Sequence, residues 1–449
     1  MNTYTKEYKS RSTYYNRIEP FIGTDIIKVI VGQRRVGKSY LLFEIMSKLL
    51  AKDPQTDIIY INKELANFDP IKNYKDLISF IETNKTGKGK CYLFLDEIQD
   101  IDEWERALRH LFAVGGYDIY CTGSNARLLS GEMATFLSGR YIEFKINSLS
   151  YPEFLQFHEL VESNESFEKF YKYGGLPYLV NVSLNDRVVY EYAYSTYNSI
   201  VLKDVVERYK LRNIRLLNDL TTYMADNIGT AFSATRISMY LRSQRIDLST
   251  RVILEYLQYL ESAFILKRVK RADLKGKKIF EISEKYYFED LGIRNSLVGY
   301  KPTDFARILE NIVYQHLIYK GYKVFVGKLD EKEIDFVAEQ DGERIYIQVT
   351  TYMTEEKTRE REFGNLLEIK DNYPKLVVTM EDTDGGSYKG IQQMNIRKFL
   401  TQWDKETTIR PKSYTEHDFE QSVVSDVTVE YFNKRYNAQV ESLKHIRFK

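Results

Sequence analysis

Residues 32–39 read Gly32-Gln33-Arg34-Arg35-Val36-Gly37-Lys38-Ser39, the spacing G-x-x-x-x-G-K-S. Two glycines let backbone N–H groups wrap a chain of phosphates, and a helix behind them adds the positive end of its dipole. In that chemistry Lys38 reaches the β- and γ-phosphates of a nucleotide and Ser39 holds Mg²⁺. Residues 32–39, with Tyr40, are therefore the expected ATP contact. The ordinary alternative is a glycine turn before a core helix. The flanks favour the phosphate loop: an apolar run over 26–31 precedes it and an apolar helical pattern over 40–46 follows.

A second run, Cys91-Tyr92-Leu93-Phe94-Leu95-Asp96-Glu97, is apolar until it ends in two carboxylates. A buried parallel strand is near-continuously apolar, and ligands gather at its C-terminal end. Asp96 would then bind Mg²⁺ and Glu97 would polarise an attacking water. Adjacent acids also begin many surface turns; their place after a phosphate loop is what points to hydrolysis.

These groups need a scaffold. Strands over 26–31, 57–61, 91–95 and 117–121 alternate with helices over 38–50, 74–84 and 103–113, which predicts an α/β domain (1–150) with a parallel sheet covered by helices. The fourth strand runs into Ser124 and Asn125. Either could sense the γ-phosphate, or the pair could cap a helix from Ala126. Arg140 could reach phosphate as an arginine finger, from its own chain or a neighbour's, or could be a surface arginine.

Composition sets outer bounds. At 449 residues there is room for two to four domains. A net charge of +1 means that nucleic-acid contact would need a local patch. Cys91 and Cys121 lie in apolar runs and read as reduced core residues of a cytoplasmic protein. No apolar run approaches the ~18 residues of a membrane span, and the N-terminus lacks a signal-peptide core. The five histidines lack metal-ligand spacing.

The phosphate loop, Leu95-Asp96-Glu97-Ile98-Gln99, Thr122-Gly123-Ser124-Asn125-Ala126, Leu137-Ser138-Gly139-Arg140 and Leu149-Ser150-Tyr151-Pro152-Glu153-Phe154 form an ordered set. It resembles the prokaryotic AAA+ ATPases of the archaeal-ATPase-like group that carry a DUF4143 C-terminal region. Gly174-Gly175-Leu176-Pro177 is similar to that family's Gly-Gly-x-Pro turn, and Val201-Leu202-Lys203-Asp204-Val205 to its following helix.

Residues 151–213 read as a helical lid and 214–300 as a winged helix, with strands over 264–269 and 278–282 around a wing tip at Lys275-Gly276-Lys277. Between Arg236 and Lys278 eleven basic residues face four acidic ones, a local +7. Such an excess suits contact with DNA phosphates. Arg236, Arg242, Arg245, Arg251, Lys275, Lys277 and Lys278 are the candidate contacts, and a packing or protein-contact module is the alternative.

Residues 301–404 resemble the PD-(D/E)xK nuclease core, as the family's C-terminal domain does. A helix opening at Glu310 and a hairpin carrying Asp335 fit that pattern. Gln348 and Thr350 stand where the nuclease has a carboxylate and a lysine. Gln is a poor Mg²⁺ ligand and Thr supplies no ammonium, so an inactive fold is expected. Residues 405–449 are a charged extension. The leading expectation is a Mg²⁺-dependent ATPase whose nucleotide state repositions the winged helix and the C-terminal domain, with double-stranded DNA as a candidate partner. A protein-docking switch with little hydrolysis comes second and an ATP-gated nuclease last; no oligomeric state is legible.

Overall fold

The structure is a computed structural model that describes residues 8–87, 89–126, 137, 139–243, 248–275, 279–353, 356–382 and 386–403. Arg245, Lys277, Lys278, the helix expected beyond Ala126 and the 405–449 extension lie outside these residues.

Strands β1 (Ile27–Val31), β2 (Ile58–Asn62), β3 (Cys91–Asp96), β4 (Tyr117–Gly123) and β5 (Tyr141–Lys145) form one sheet in the order β2-β3-β4-β1-β5, with every neighbouring pair parallel. Both faces are covered, which is why the strands read as unbroken apolar runs. Ile27, Val29 and Val31 pack with Leu93, Leu95 and Ile119 on the face covered by helices Tyr74–Asn84 and Trp104–Val114. Ile30, Phe94, Tyr120 and Phe144 pack on the other, beneath helices Ser12–Ile18 and Lys38–Lys52. Lys28 interrupts β1 and is fully buried, but it pairs with buried Asp118, which also accepts from Tyr120 Oη and the Gly23 N–H. A buried ion is tolerable when its partner and the remaining lone pairs are satisfied in this way.

The α/β expectation holds, with strand and helix ends shifted by a residue or two. Arg140 needs a correction. Its carbonyl accepts the Ile27 N–H at 2.9 Å and its guanidinium lies over the Phe112 ring. Parallel strands share a direction, so Arg140 sits at the N-terminal end of β1, about 13 Å of strand from the phosphate loop. The structure therefore does not bring it to the phosphates of its own chain.

Helices Tyr151–His158, Asn164–Tyr173 and Asp186–Ile200 follow, and the last runs directly into a π-helical segment, Val201–Glu207. Ser150 and Glu153 form a capping box at the first, with Pro152 in its first turn. The Gly174-Gly175 turn is tied down on both sides: Gly175 N–H donates to Asp290 Oδ2 at 2.9 Å, and its carbonyl accepts from Leu149 at 2.7 Å.

Helices Ile214–Asp226, Ala234–Ser243 and Thr250–Ser262 lead into β6 (Leu266–Asp273) and β7 (Ile279–Phe288). These two strands, expected as the wing of a separate domain, do not end their sheet there. With β8 (Lys323–Leu329), β9 (Lys332–Gln340), β10 (Glu343–Val349), β11 (Lys375–Thr379), β12 (Ser387–Tyr388) and β13 (Ile391–Asn395) they make one eight-stranded sheet, ordered β12-β13-β11-β10-β9-β8-β6-β7. The far edge of β6 would otherwise leave backbone donors and acceptors unpaired, and β8 takes them up in parallel. The expected division at residue 300 is thus not a division of the sheet. Helix Phe305–Tyr319 also begins before Glu310, from a 3₁₀ turn whose Asp304 pairs with buried Arg294. The β9–β10 hairpin turns at Asp341-Gly342, both with positive φ, as its sequence predicts. No helix among the described residues is long and apolar enough to cross a membrane.

Candidate phosphate-binding and hydrolytic site

The end of β1 delivers the phosphate loop to the start of helix Lys38–Lys52. Gly37 takes φ +96° at the helix N-cap, a conformation a side chain would strain. At Gly32 a Cβ would stand 2.1 Å from the Ile146 carbonyl oxygen, so the loop can lie this close to the backbone beyond β5 only without a side chain. Lys38 folds back over the loop, with Nζ 3.1 Å from the Gly32 carbonyl, 3.2 Å from that of Gln33 and 3.6 Å from Glu97 Oε1.

The sheet order places β4 between β1 and β3, and Thr122 of β4 uses that place. Its Oγ1 donates to Asp96 Oδ1 at 2.5 Å and accepts the Glu97 N–H at 2.9 Å. Tyr60 Oη donates to Asp96 Oδ2 at 3.0 Å, and the Ser39 hydroxyl lies near enough to the same carboxylate to help hold its pKa down. Burial pushes the Asp96 carboxyl above its ordinary range; the Thr122 and Ser39 hydroxyls oppose this, and the charge of Glu97 adds to it. The Ser39 hydroxyl and a buried carboxylate near it are hard oxygen donors of the kind Mg²⁺ takes, so these residues fit that ion.

Glu97 follows β3 in the left-handed region, φ +56°, which turns its buried side chain toward the loop. Burial raises its pKa, but the charges of Lys38 and Arg34, the hydrogen bond from Gln99 and the Ser124 hydroxyl outweigh that and leave it below the usual range. Gln99 Nε2 donates at 2.5 Å.

The remaining loop residues reach outward. Gln33 Nε2 donates to the Phe264 carbonyl at 3.0 Å, joining the loop to the start of β6. Arg34 Nε lies 3.1 Å from Asp204 Oδ2, and Nη1 lies 2.7 Å from Glu64 Oε1. The charge of Arg35 is felt at Tyr192, where it works against the rise in pKa that burial causes. Val36 is buried, and Tyr40 is half-exposed against Phe43. Ser124 Oγ donates to Asp204 Oδ1 at 2.8 Å, and Asn125 Nδ2 to the Asp204 carbonyl at 3.4 Å.

Sequence reasoning missed two residues here. Arg11 is buried, forks onto Glu153 at 2.9 and 2.8 Å, and donates to the Val36 carbonyl at 2.9 Å and the Asn147 carbonyl at 3.0 Å. It braces the loop from below, and no motif surrounds it. Asp204 lay within a quoted resemblance but had been given no role.

The basic excess over 236–278 is largely met by carboxylates. Arg251 pairs with Glu255, Lys267 with Glu289, Arg268 with Glu261 and Glu284, Arg271 with Glu333, and Lys275 with Asp330. Several of these acids lie outside the counted window, so the +7 overstates the field of this face. Arg236 and Arg242 are exposed on helix Ala234–Ser243, which also carries exposed Met239 and Tyr240, and Leu254 is exposed on the helix that follows.

In the C-terminal sheet, Glu310, Asp335 and Gln348 do converge. Asp335 Oδ2 accepts the Val349 N–H at 2.8 Å, and its own N–H lies 3.4 Å from Gln348 Oε1. Thr350, just past β10, is buried. The sequence had not pointed to Lys285 of β7. Its Nζ lies 3.0 Å from Glu310, 2.8 Å from Glu333 and 4.0 Å from Asp335, a lysine ammonium among three carboxylates. Burial lowers its pKa, but those charges win and leave it raised. Among the described residues, no group of three His, Cys, Asp or Glu is placed to hold a metal ion. Lys285→Met should cost about 3–5 kcal/mol of stability in denaturant unfolding, because it strands the carboxylates. Adding Glu310→Gln should return part of that loss; an unchanged midpoint in the single variant would show that the ammonium is dispensable.

A family comparison fits the parallel sheet built by β1 to β5. An AAA domain family (AAA_14) matches residues 24–155, and a domain of unknown function (DUF8612) matches 164–304. The resemblance had pointed instead to DUF4143, over residues 301–404; the domain of unknown function that matches is a different one and covers the region before it. An uncharacterized protein of Haemophilus influenzae is 37% identical over 405 residues, covering 89% of this chain and 100% of that protein. An uncharacterized protein of Methanocaldococcus jannaschii is 32% identical over 357 residues, covering 75% and 77%. Among solved structures, the Aeropyrum pernix ORC1 protein in complex with DNA is 13% identical, covering 66% of this chain and 94% of that one, TM-score 0.32. Cdc6p from Pyrobaculum aerophilum is 11% identical, covering 70% and 97%, TM-score 0.29.

Proposed function

The chain belongs to the protein family of the Haemophilus influenzae and Methanocaldococcus jannaschii relatives and carries an AAA domain; from that premise we propose that it binds ATP with Mg²⁺ and hydrolyses it. The observation that carries the reading is the convergence of Lys38, Ser39, Asp96 and Glu97 at the C-terminal ends of β1 and β3. The loop amides and Lys38 bind the phosphates. Ser39 and Asp96 would hold Mg²⁺, which supplies positive charge to the phosphate oxygens. Glu97, ionised and pinned by Gln99, orients a water and accepts its proton as the water attacks the γ-phosphorus and the bond to the β-phosphate oxygen breaks.

Steady-state phosphate release by the full chain tests this. Hydrolysis is expected with Mg²⁺ and not with excess EDTA. A protein that binds no nucleotide would end the proposal. The placement of Arg140 at the far end of β1 favours a second reading, slow turnover by an isolated chain that works as an ATP-held switch. Its docking face would be the one carrying Arg236, Arg242, Met239, Tyr240 and Leu254. Stimulation of hydrolysis by double-stranded DNA that fades with salt would assign that face to DNA. No stimulation would leave a protein as the partner, because three exposed apolar side chains suit a protein surface better than phosphates.

A further inference from the structure

Asp204 lies on neither of the strands that carry the hydrolytic groups, yet three parts of the site meet on it. Its side chain is buried, on the π-helical segment Val201–Glu207 that continues helix Asp186–Ile200. π-Segments are rare and occur often at functional sites. One carboxylate edge faces the guanidinium of Arg34, at 3.1 Å from Nε and 3.4 Å from Nη2. Oδ1 also accepts from Ser124 Oγ at 2.8 Å. The Ser124 hydroxyl also helps to hold the Glu97 carboxyl below its usual range. A serine hydroxyl has one proton to give, so it can donate to only one of these two carboxylates at a time.

Arg34 sits inside the loop that wraps the phosphates, and its charge is felt at Glu97. In this structure that charge is spent on Asp204 and Glu64. A third phosphate brought to the loop would compete with Asp204 for the same guanidinium, and charge-assisted Arg–phosphate bonds are strong enough to do so.

We propose that Asp204 is a positioning residue for the γ-phosphate: it withholds Arg34 from the loop until a triphosphate arrives, and it sets whether Ser124 donates to Asp204 or to Glu97. The 186–207 helix is then the element that distinguishes ATP from ADP. The inference rests on the nucleotide reading above, and its test separates the two.

The test compares affinities for ATP and ADP, by titration with fluorescent analogues, and single-turnover hydrolysis in the full chain. Asp204→Asn keeps the shape and removes the charge that competes for Arg34. The ratio of ATP to ADP affinity should rise roughly tenfold, while the hydrolysis rate falls roughly tenfold or more as Ser124 exchanges a carboxylate acceptor for the weaker amide oxygen. In an Arg34→Ala background the same substitution should leave the ratio unchanged. Equal shifts for ATP and ADP, or a shift that survives without Arg34, would overturn the proposal, because a merely structural aspartate would act on both nucleotides alike. If Asp204→Asn does not fold, Ser124→Ala carries the test: slower hydrolysis at an unchanged affinity ratio is expected, and an altered ratio refutes it. Wild-type protein that binds neither nucleotide would refute the nucleotide reading and this inference together. Wild-type binding with a failed Asp204→Asn result refutes this inference alone.

Discussion

Lys38→Ala should weaken ATP binding by roughly 30-fold to several thousand-fold, the 2–5 kcal/mol lost when one partner of a desolvated charge pair is truncated. The size follows from the surroundings. Lys38 is 4% exposed and already gathered over the loop by two carbonyls. Its ammonium needs little ordering when phosphate arrives, so most of the interaction appears as affinity. The same substitution leaves Glu97 buried without the nearest of the cations that hold its pKa down. Its carboxyl should therefore titrate higher, and the unliganded protein should lose some stability near neutral pH. Isothermal titration with ATP, alongside denaturant unfolding of the unliganded variant, reads both effects. Binding as tight as the parent's would move the nucleotide away from this loop.

The nucleotide half of the molecule was legible because its chemistry is local. The phosphate-loop residues are consecutive, and Asp96 and Glu97 end an apolar strand; periodicity alone orders the strands between them. Sequence does not encode which strand lies between β1 and β3. That is why the place of Thr122, touching both Asp96 and the Glu97 backbone, emerged only from the fold. Arg140 is kept from the phosphates of its own chain for a related reason. It lies near the other motifs in the chain, but in a parallel sheet the residue that precedes β5 sits at the end of the strands opposite the phosphate loop. Arg11 and Asp204 act across 25 residues to Val36 and 170 to Arg34, and separations of that size have no local pattern.

The C-terminal half shows the limit of composition. Counting charges over 236–278 gave an excess, while the fold brings Glu284, Glu289, Asp330 and Glu333 to those cations from beyond the window. The resemblance to a nuclease core rested on Glu310 and Asp335 and was qualified by what is lacking, with Gln348 and Thr350 in place of acid and lysine. What occupies the site is Lys285, from a strand that had been assigned to a different domain. Local pattern identified the hairpin and the helix but not the lysine between their carboxylates.

Glu97→Gln should spare or tighten ATP binding and slow hydrolysis by roughly 10²–10⁴-fold, the range of a general base. The two amino acids are nearly isosteric. Glutamine can still accept from Gln99, whose Nε2 lies 2.5 Å from Oε2, and the backbone bond to Thr122 does not depend on the side chain. The fold of the site should survive, including the left-handed backbone at residue 97. What is lost is a negative charge beside Lys38 and Arg34, and both cations then turn more fully to the phosphates. Binding therefore moves opposite to rate, a pattern that general damage to the site does not produce. Single-turnover hydrolysis with saturating enzyme measures the chemical step, and a nucleotide titration measures the other arm. Equal loss of binding and rate would make Glu97 a structural partner of Lys38. An unchanged rate would remove it from the chemistry and leave the ATP-held switch as the better account of the chain.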